Sequence, residues 1–237
     1  MAAAALQHLT SLLEAHRLDR VVTIGRAAWA PGHPQPPRLA TGIPSLDRSF
    51  GGWPCGAVSE VIGPRSSGRT TMLVATLAAA TRRGDVVGLV DAFDRFHPRD
   101  AAAAGLDLDR MLWVRGPSLT FPARPTAVDT AIRHAVRACD LIIRAGNFGV
   151  VALDFADVPM RAVKALPFTT WLRLAHANER RDTVCLLVGD GPIGRSARGV
   201  SMRLASRPRW MGASQQSRRF AGFDVMPEIA SATAPST

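Results

Sequence analysis

The sequence predicts an α/β domain in which a mostly parallel central sheet is flanked by helices, with a small helical appendage at the N-terminus. Short apolar runs that suit buried strands alternate along the chain with longer segments that suit helices. The run at 58–62 leads into a glycine-bounded turn and then into a helix. This order of strand, loop and helix indicates a parallel sheet, because parallel strands need crossover connections.

The composition suits one globular domain. The chain has 237 residues, of which 47% are hydrophobic, enough for a sizeable core. No apolar run reaches the roughly 18 residues of a membrane helix, and the start lacks a basic signal-peptide region. The three cysteines and six histidines are scattered without the spacing of a zinc site. We therefore expect a cytoplasmic protein with no membrane association and no bound metal.

The N-terminal segment differs from the rest of the chain. Residues 2–16 predict an amphipathic helix, with Leu6, Leu9, Leu12 and Leu13 on one stripe. This stripe packs on its own domain or docks on another protein, including a second copy of the chain. Residues 31–37 form a proline-rich linker. We therefore divide the chain into an N-terminal helix and linker at 1–37, a core at 38–226 and a disordered tail at 227–237.

The core elements follow in order. Strands are predicted at 58–62, 86–90, 111–114, 148–153 and 184–188, and helices from 70, at 101–104, at 126–144 and at 168–178. Two late strands at 200–204 and 218–225 suit a hairpin. Asp91, Asp154 and Asp190 follow three of the predicted parallel strands, at the edge where such sheets bind ligands.

The turn at 63–68 has the spacing of a phosphate-binding loop, G-x-x-x-x-G-K-[ST], except that arginine stands at the lysine position. Backbone N–H groups of such a loop and of the helix start face an anion. An arginine fork replaces the compact charge of lysine poorly at such a site. The chain has 28 arginines and one lysine, so this change also fits its general composition. The candidate nucleotide-binding residues of this degenerate loop are Gly63, Ser66, Ser67, Gly68, Arg69, Thr70 and Thr71.

Asp154 is the candidate acid on the metal side of this site. It follows a run of apolar residues, which is the position from which an acid holds Mg²⁺ beside a phosphate loop. An aspartate at a strand end also serves as a simple cap. ATP with Mg²⁺ is therefore a possible cofactor, and the alternative is that the protein binds none.

The net charge of +10 suggests a polyanionic partner. Seven arginines and no acid lie between residues 191 and 223. As a DNA surface, these arginines neutralise phosphates while Trp210 and Phe220 stack on bases; as a protein surface, arginine and tryptophan are favoured anchors. A solvated basic face is the third alternative. The candidate DNA- or partner-binding residues are Arg195, Arg198, Arg203, Arg207, Arg209, Trp210, Arg218 and Arg219.

Two segments carry a resemblance to a known family. TGIPSLDRSFGGWPCGAVSEVIGPRSSGRTT at 41–71 and VGLVDAFDRFHPRDAAAAGLDLDRMLWVRG at 87–116 resemble RecA-family recombinases, and the resemblance extends loosely to residue 204. The phrases GGWP-x-GA-x-x-E at 51–60 and AAGLDLDRMLWVR at 103–115 are most similar to the ImuA-type proteins, RecA-like accessories of translesion synthesis. The resemblance implies a RecA-like core around the phosphate-binding loop.

The chain differs from RecA at positions that RecA uses for ATP hydrolysis. When the two sequences are aligned on Val90-Asp91-Ala92, Phe93 stands at the position of RecA's catalytic glutamate. Asp94 is the next residue, but in an extended chain its side chain points to the opposite side from that of Phe93. The place of RecA's γ-phosphate-sensing glutamine lies near Asp190, and residues 193–199 are the remnant of RecA's second DNA-binding loop. With Arg69, these changes argue against hydrolysis, so no residue is assigned as catalytic.

The preferred hypothesis is an adaptor in SOS-type, damage-induced mutagenic DNA repair. The resemblance implies an ImuB-type polymerase-like partner, RecA and DNA, in particular single-stranded DNA. One rival is a DNA-stimulated ATPase or recombinase like RecA, in which Arg69 works as lysine does. A small-molecule P-loop kinase and a plain DNA-binding module are the other rivals.

Overall fold

The computed structural model describes residues 36–119, 123–196, 198–212 and 217–231. The predicted N-terminal helix and most of the proline-rich linker lie outside these residues. Within them, no helix combines the length and the apolar character needed to cross a bilayer. The strands and helices follow in chain order: β1 (Arg38–Leu39), α1 (Pro44–Phe50), β2 (Trp53–Pro54), β3 (Val58–Ile62), α2 (Arg69–Arg82), β4 (Val87–Asp91), α3 (Pro98–Ala103), β5 (Met111–Arg115), α4 (Pro125–Ala145), β6 (Val150–Asp154), α5 (Met160–Lys164), α6 (Phe168–Asn178), β7 (Val184–Gly189), β8 (Val200–Met211) and β9 (Arg219–Ser231).

Seven strands form one sheet in the order β5-β4-β6-β7-β3-β8-β9. All neighbours in it are parallel except β8 and β9, which pair antiparallel. β1 and β2 form a separate antiparallel pair. The predicted α/β fold, with a mostly parallel sheet flanked by helices, is confirmed.

Helices cover both faces of this sheet, and every residue of β3, β4, β6 and β7 is buried as a result. Leu73 and Leu77 of α2 join the core on one face. Ile132 of α4 and Leu174 of α6 join the core on the other. Each of these side chains is fully buried, which stabilises the fold by about 2 kcal/mol per residue.

The segment before β3 is tied to α2 by a chain of hydrogen bonds. The indole N–H of Trp53 donates to the hydroxyl of Thr76 (3.1 Å), which donates to the carbonyl of Thr41 (3.1 Å). The backbone N–H and hydroxyl of Thr41 donate to the Asp47 carboxylate at 2.7 and 2.8 Å. These buried polar groups are therefore satisfied, and they fix the chain that leads into the phosphate-binding loop.

The late hairpin is longer than the sequence predicts. β8 pairs with β3 only through Ser201, Met202 and Arg203, and beyond them its neighbour is β9. Residues 204–211 and 219–227 thus form a two-stranded extension of the sheet, which we call the ribbon. β9 passes through Pro227, where the predicted tail begins, and continues to Ser231. An edge strand accommodates this proline because one side of the strand has no ladder partner.

Candidate functional site

The loop at 63–68 connects β3 to α2 as the sequence predicts. Gly68 has φ of 94°, a left-handed conformation that suits glycine, and α2 begins at Arg69. Ser66, Thr70 and Thr71 are exposed, whereas Ser67 is buried. The Ser67 hydroxyl has no hydrogen-bond partner among the described residues. This backbone has the strand–loop–helix arrangement that presents N–H groups to a phosphate.

Arg69 is turned to groups of its own chain. Its side chain is buried, and Nη1 donates to the carbonyl of Gly63 (2.6 Å) and to the Asp190 carboxylate. Nη2 donates to Oδ1 of Asp157 (3.1 Å), whose other oxygen lies 3.7 Å from Nη2 of Arg65. The cation at the lysine position is therefore neutralised by two carboxylates from the ends of β6 and β7.

Asp154, the candidate Mg²⁺ acid, is the last residue of β6 and is buried. Burial raises the pKa of its carboxyl to about 7, although the N–H of Ala156 donates to it (2.8 Å) and favours the charged form. The charges of Asp91 and Asp157 raise this pKa and that of Arg69 lowers it. Asp154 is therefore partly protonated at neutral pH, which weakens it as a ligand for Mg²⁺.

Comparing the pH dependence of stability in the wild type and the Asp154→Asn variant tests this environment of the carboxyl. A carboxyl with a pKa of about 7 in the folded state and about 3.8 unfolded takes up a proton on folding between these pH values, so its contribution to stability is full below pH 3.8 and declines as pH rises to 7. We expect the wild type to lose roughly 2 kcal/mol more unfolding free energy than Asp154→Asn between pH 5 and pH 8. Urea unfolding of both proteins across this range measures the difference, and parallel pH curves would contradict the assignment.

The place of the catalytic glutamate holds no free acid. Phe93 is buried in the core under α4 and α6. The neighbouring Asp94 receives two hydrogen bonds from Arg115, from Nε (2.8 Å) and Nη2 (2.9 Å). This bidentate contact holds the pKa of Asp94 below its usual range. Neither residue is therefore placed to act as a general base.

Glu60 is a residue beside the candidate site that the sequence analysis did not single out. It lies buried on β3, where Oε2 accepts from the N–H groups of Ile193 (2.8 Å) and Gly194 (3.1 Å). The hydroxyl of Ser201 donates to Oε1. The signal in the sequence was a glutamate inside an apolar strand, since a buried carboxylate requires partners. Glu60 therefore clamps the loop that follows Asp190.

Further contacts hold this loop in place. A Cβ built on Gly194 would lie 2.5 Å from Cγ of Trp171, so the indole ring packs directly against the loop backbone. The N–H of Ser196 donates to the carbonyl of Val58 (2.9 Å), and the N–H of Val58 donates to the Ser196 hydroxyl (2.9 Å). Residues 193–196 are thus attached to β3 through Ile193, Gly194 and Ser196.

The predicted DNA- or partner-binding residues form two groups. Arg195 and Arg198 are half-buried on the clamped loop. Arg209, Trp210, Arg218 and Arg219 lie at the far end of the ribbon, and residues 200–208 of β8 separate the groups by about 30 Å. Between them lie Arg203 and Arg207. The structure therefore places Arg203, Arg207, Arg209 and Arg219 on one face of β8 and β9, and Arg195 and Arg198 on the loop before β8.

Comparison with known proteins gives the family of this chain. The RecA N-terminal domain family matches residues 36–158, which include the loop at 63–68, Asp91 and Asp154. Protein RecA of Chelativorans sp. (strain BNC1) is 33% identical over 118 residues, 49% of this chain and 29% of that protein. The chain thus matches less than a third of the length of this relative. With the sheet order, the match shows that the chain belongs to the RecA N-terminal domain family.

Proposed function

We propose that this protein is a RecA-related adaptor of SOS-type mutagenic DNA repair, similar to the ImuA-type accessories of translesion synthesis. Its partners are an ImuB-type polymerase-like protein, RecA and DNA, and it does not hydrolyse ATP. The single observation that carries the proposal is the engagement of Arg69 by Asp190 and Asp157 inside the chain. The ImuA-like phrases of the sequence support the choice of pathway.

The ion pairs oppose phosphoryl transfer for a simple physical reason. A phosphate-binding loop uses its cation to stabilise charge on the transferred phosphoryl group. Here an incoming triphosphate competes for Arg69 with two carboxylates that the fold already holds in hydrogen-bond contact, whereas the ligand loses translational freedom on binding. Phe93 supplies no base to activate water. The fold therefore suits presentation of surfaces better than turnover.

ATP turnover tests the proposal. Wild-type protein and the Arg69→Ala variant are assayed with and without single-stranded DNA, beside a RecA control that verifies the assay. We expect equally low background turnover in both proteins and no stimulation by DNA. Turnover that DNA stimulates and that Arg69→Ala abolishes would contradict the adaptor proposal and support the alternative, a DNA-stimulated ATPase of RecA type.

Binding of Mg-ATP without hydrolysis is a separate possibility. The loop spacing, the exposed Thr70 and Thr71 and the helix start fit a phosphate group, whereas the engaged Arg69 does not. We expect Asp190→Asn to bind a fluorescent ATP analogue at least about tenfold more tightly than the wild type, because removing one paired charge frees the guanidinium. Asp224→Asn, on the ribbon, is the control. Equal affinities of all three proteins would exclude Asp190 as the competing anion.

A further inference from the structure

The pairing of β8 with β9 sorts the ribbon side chains onto two faces. Directly paired residues of an antiparallel ladder share a face, and successive residues of one strand alternate. Ser206 pairs with Val225, Pro208 with Phe223 and Trp210 with Phe220, and these residues continue the face of the buried Leu204. The group contains no charged side chain. We call it the apolar face: Ser206, Pro208, Trp210, Phe220, Phe223 and Val225.

The opposite face carries the charges. Arg207 pairs with Asp224, whose carboxylate also lies 3.5 Å from Nη1 of Arg209, and Arg219 pairs with Met211. An irregularity between Arg209 and Trp210 leaves one extra residue on β9, so Phe220 returns to the side of Phe223. We call this the charged face: Ala205, Arg207, Arg209, Met211, Arg219, Gly222, Asp224 and Met226.

The apolar face is open to solvent. The exposed fractions are 51% for Trp210, 53% for Phe220 and 44% for Phe223. The Phe220 ring contacts both others edge to face, with centroids 5.6 Å from Trp210 and 5.1 Å from Phe223. About half of each of these three side chains is therefore in contact with solvent. Contiguous exposed apolar surface of this kind marks interaction sites.

The apolar face begins at the phosphate-binding loop. The hydroxyl of Ser206 donates to the carbonyl of Ser66 (2.8 Å), and a Cβ built on Gly68 would lie 2.9 Å from Cγ2 of Val225. Arg65, the chain neighbour of Ser66, is exposed and its Nη2 lies 3.7 Å from Oδ2 of Asp157, and the exposed Arg218 precedes β9 at the other end. The face is therefore an uncharged centre with cations at its ends.

Charge and geometry distinguish the occupants of such a face. A second copy of the chain would bring two cationic ends together, and the chain carries a net charge of +10. Single-stranded nucleic acid requires cations beside the stacking rings. Here Arg218 precedes the rings, whereas Arg207, Arg209 and Arg219 lie on the opposite face and Asp224 neutralises part of their charge, so few cations lie beside the rings. An apolar protein surface with acidic flanks satisfies both the centre and its ends.

We propose that the apolar face docks a segment of a partner protein in which aromatic or aliphatic side chains are flanked by Asp or Glu. The inference rests on the proposed adaptor function, whose partner surface it names. Trp210 and Phe223 are the anchors, because large aromatic side chains at the centre of an interface carry most of the binding energy. The exposed Arg218 and the net charge of +10 attract the acidic flanks, and Arg65 adds a cation that also contacts Asp157.

A displayed library of random linear peptides tests the proposal. Peptides are selected for binding to the full chain, and those that also bind the Trp210→Ala/Phe223→Ala variant are removed. Both aromatic side chains are exposed in the wild type, so their removal leaves the core intact. The matched control is Met211→Ala/Met226→Ala, which removes exposed apolar side chains from the charged face of the same ribbon. Circular dichroism and thermal unfolding verify that all proteins are folded.

We expect the enriched peptides to combine aromatic or leucine residues with Asp or Glu. A synthetic peptide from this set should bind the Trp210→Ala/Phe223→Ala variant at least about tenfold more weakly than the wild type, and bind the control within about twofold. Absence of enrichment, enrichment of basic peptides, or equal loss in the control would overturn the proposal.

Two further measurements distinguish the other occupants. If the Trp210→Ala/Phe223→Ala variant loses binding of a labelled oligo(dT) while the wild type and the Met211→Ala/Met226→Ala control keep it, the face binds nucleic acid and the proposal fails. If sedimentation shows a wild-type dimer that this variant alone loses, the face binds a second copy and the proposal also fails. ATP turnover decides the adaptor function independently, since it does not depend on which peptides the ribbon selects.

Discussion

Replacing Glu60 with alanine is expected to lower the free energy of unfolding by roughly 3–5 kcal/mol. The buried carboxylate accepts hydrogen bonds from the backbone N–H groups of Ile193 and Gly194 and from the hydroxyl of Ser201. Without it, these donors lose a charged partner in a region where β3 is fully buried. Unsatisfied buried donors each cost about 1–3 kcal/mol, and the loss of several exceeds the effect of most point substitutions.

Denaturant unfolding measures the change, and hydrogen exchange of residues 191–196 reports the loop itself. We expect faster exchange of the Ile193 and Gly194 amides in Glu60→Ala and an intermediate loss of stability in Glu60→Gln, which keeps an acceptor oxygen. Glu228→Ala, on exposed β9, is the matched control and should behave as the wild type. Unchanged exchange in Glu60→Ala would show that the loop does not depend on this carboxylate.

Replacing Arg69 with alanine is expected to cost about 3 kcal/mol of unfolding free energy. The substitution leaves Asp190 and Asp157 close together without their cation and the carbonyl of Gly63 without its donor. Breaking one side of a buried pair costs about 3–5 kcal/mol, and the partial exposure of both aspartates reduces this figure. In RecA-type catalysis, by contrast, the cation would serve the ligand rather than the fold.

The control for this prediction is Arg115→Ala, which removes an exposed arginine from its pair with Asp94 and should leave stability nearly unchanged. The double variant Arg69→Met/Asp190→Asn should recover part of the loss, because it removes both charges together. Thermal and urea unfolding measure all three. A single Arg69→Ala variant as stable as the wild type would indicate that the ion pairs do not hold the loop to the strand ends.

These two predictions address one structural unit. Arg69 attaches the loop at 63–68 to Asp190, and Glu60 attaches the residues after Asp190 to β3. Both contacts are made inside the chain and require no ligand. A RecA-family fold in which internal charges hold these loops suits a protein that presents surfaces constantly, as the proposed adaptor does.

The sequence alone determined the order and type of the strands of the parallel sheet and of its longer helices, because their signals are local, but it did not predict the short helices α1 and α5. Apolar runs between turns predicted the parallel strands, and apolar spacing predicted a helix at 126–144, which the structure shows at Pro125–Ala145. The glycine spacing at 63–68 likewise predicted the loop between β3 and α2. The length of the hairpin was not predictable in this way, since proline is tolerated only because β9 is an edge strand.

Only the tertiary structure decided what the candidate site residues contact. The partner of Arg69 lies 121 residues away at Asp190, and the loop that Glu60 holds lies 133 residues away at Ile193. The sequence showed that residues 191–223 are rich in arginine, but it did not show which face of the ribbon each side chain lies on. The pairing of β8 with β9, together with the extra residue on β9, decides this. Local patterns carry no information on such long-range contacts, so they predicted this fold but not the internal ion pairs or the apolar face of the ribbon.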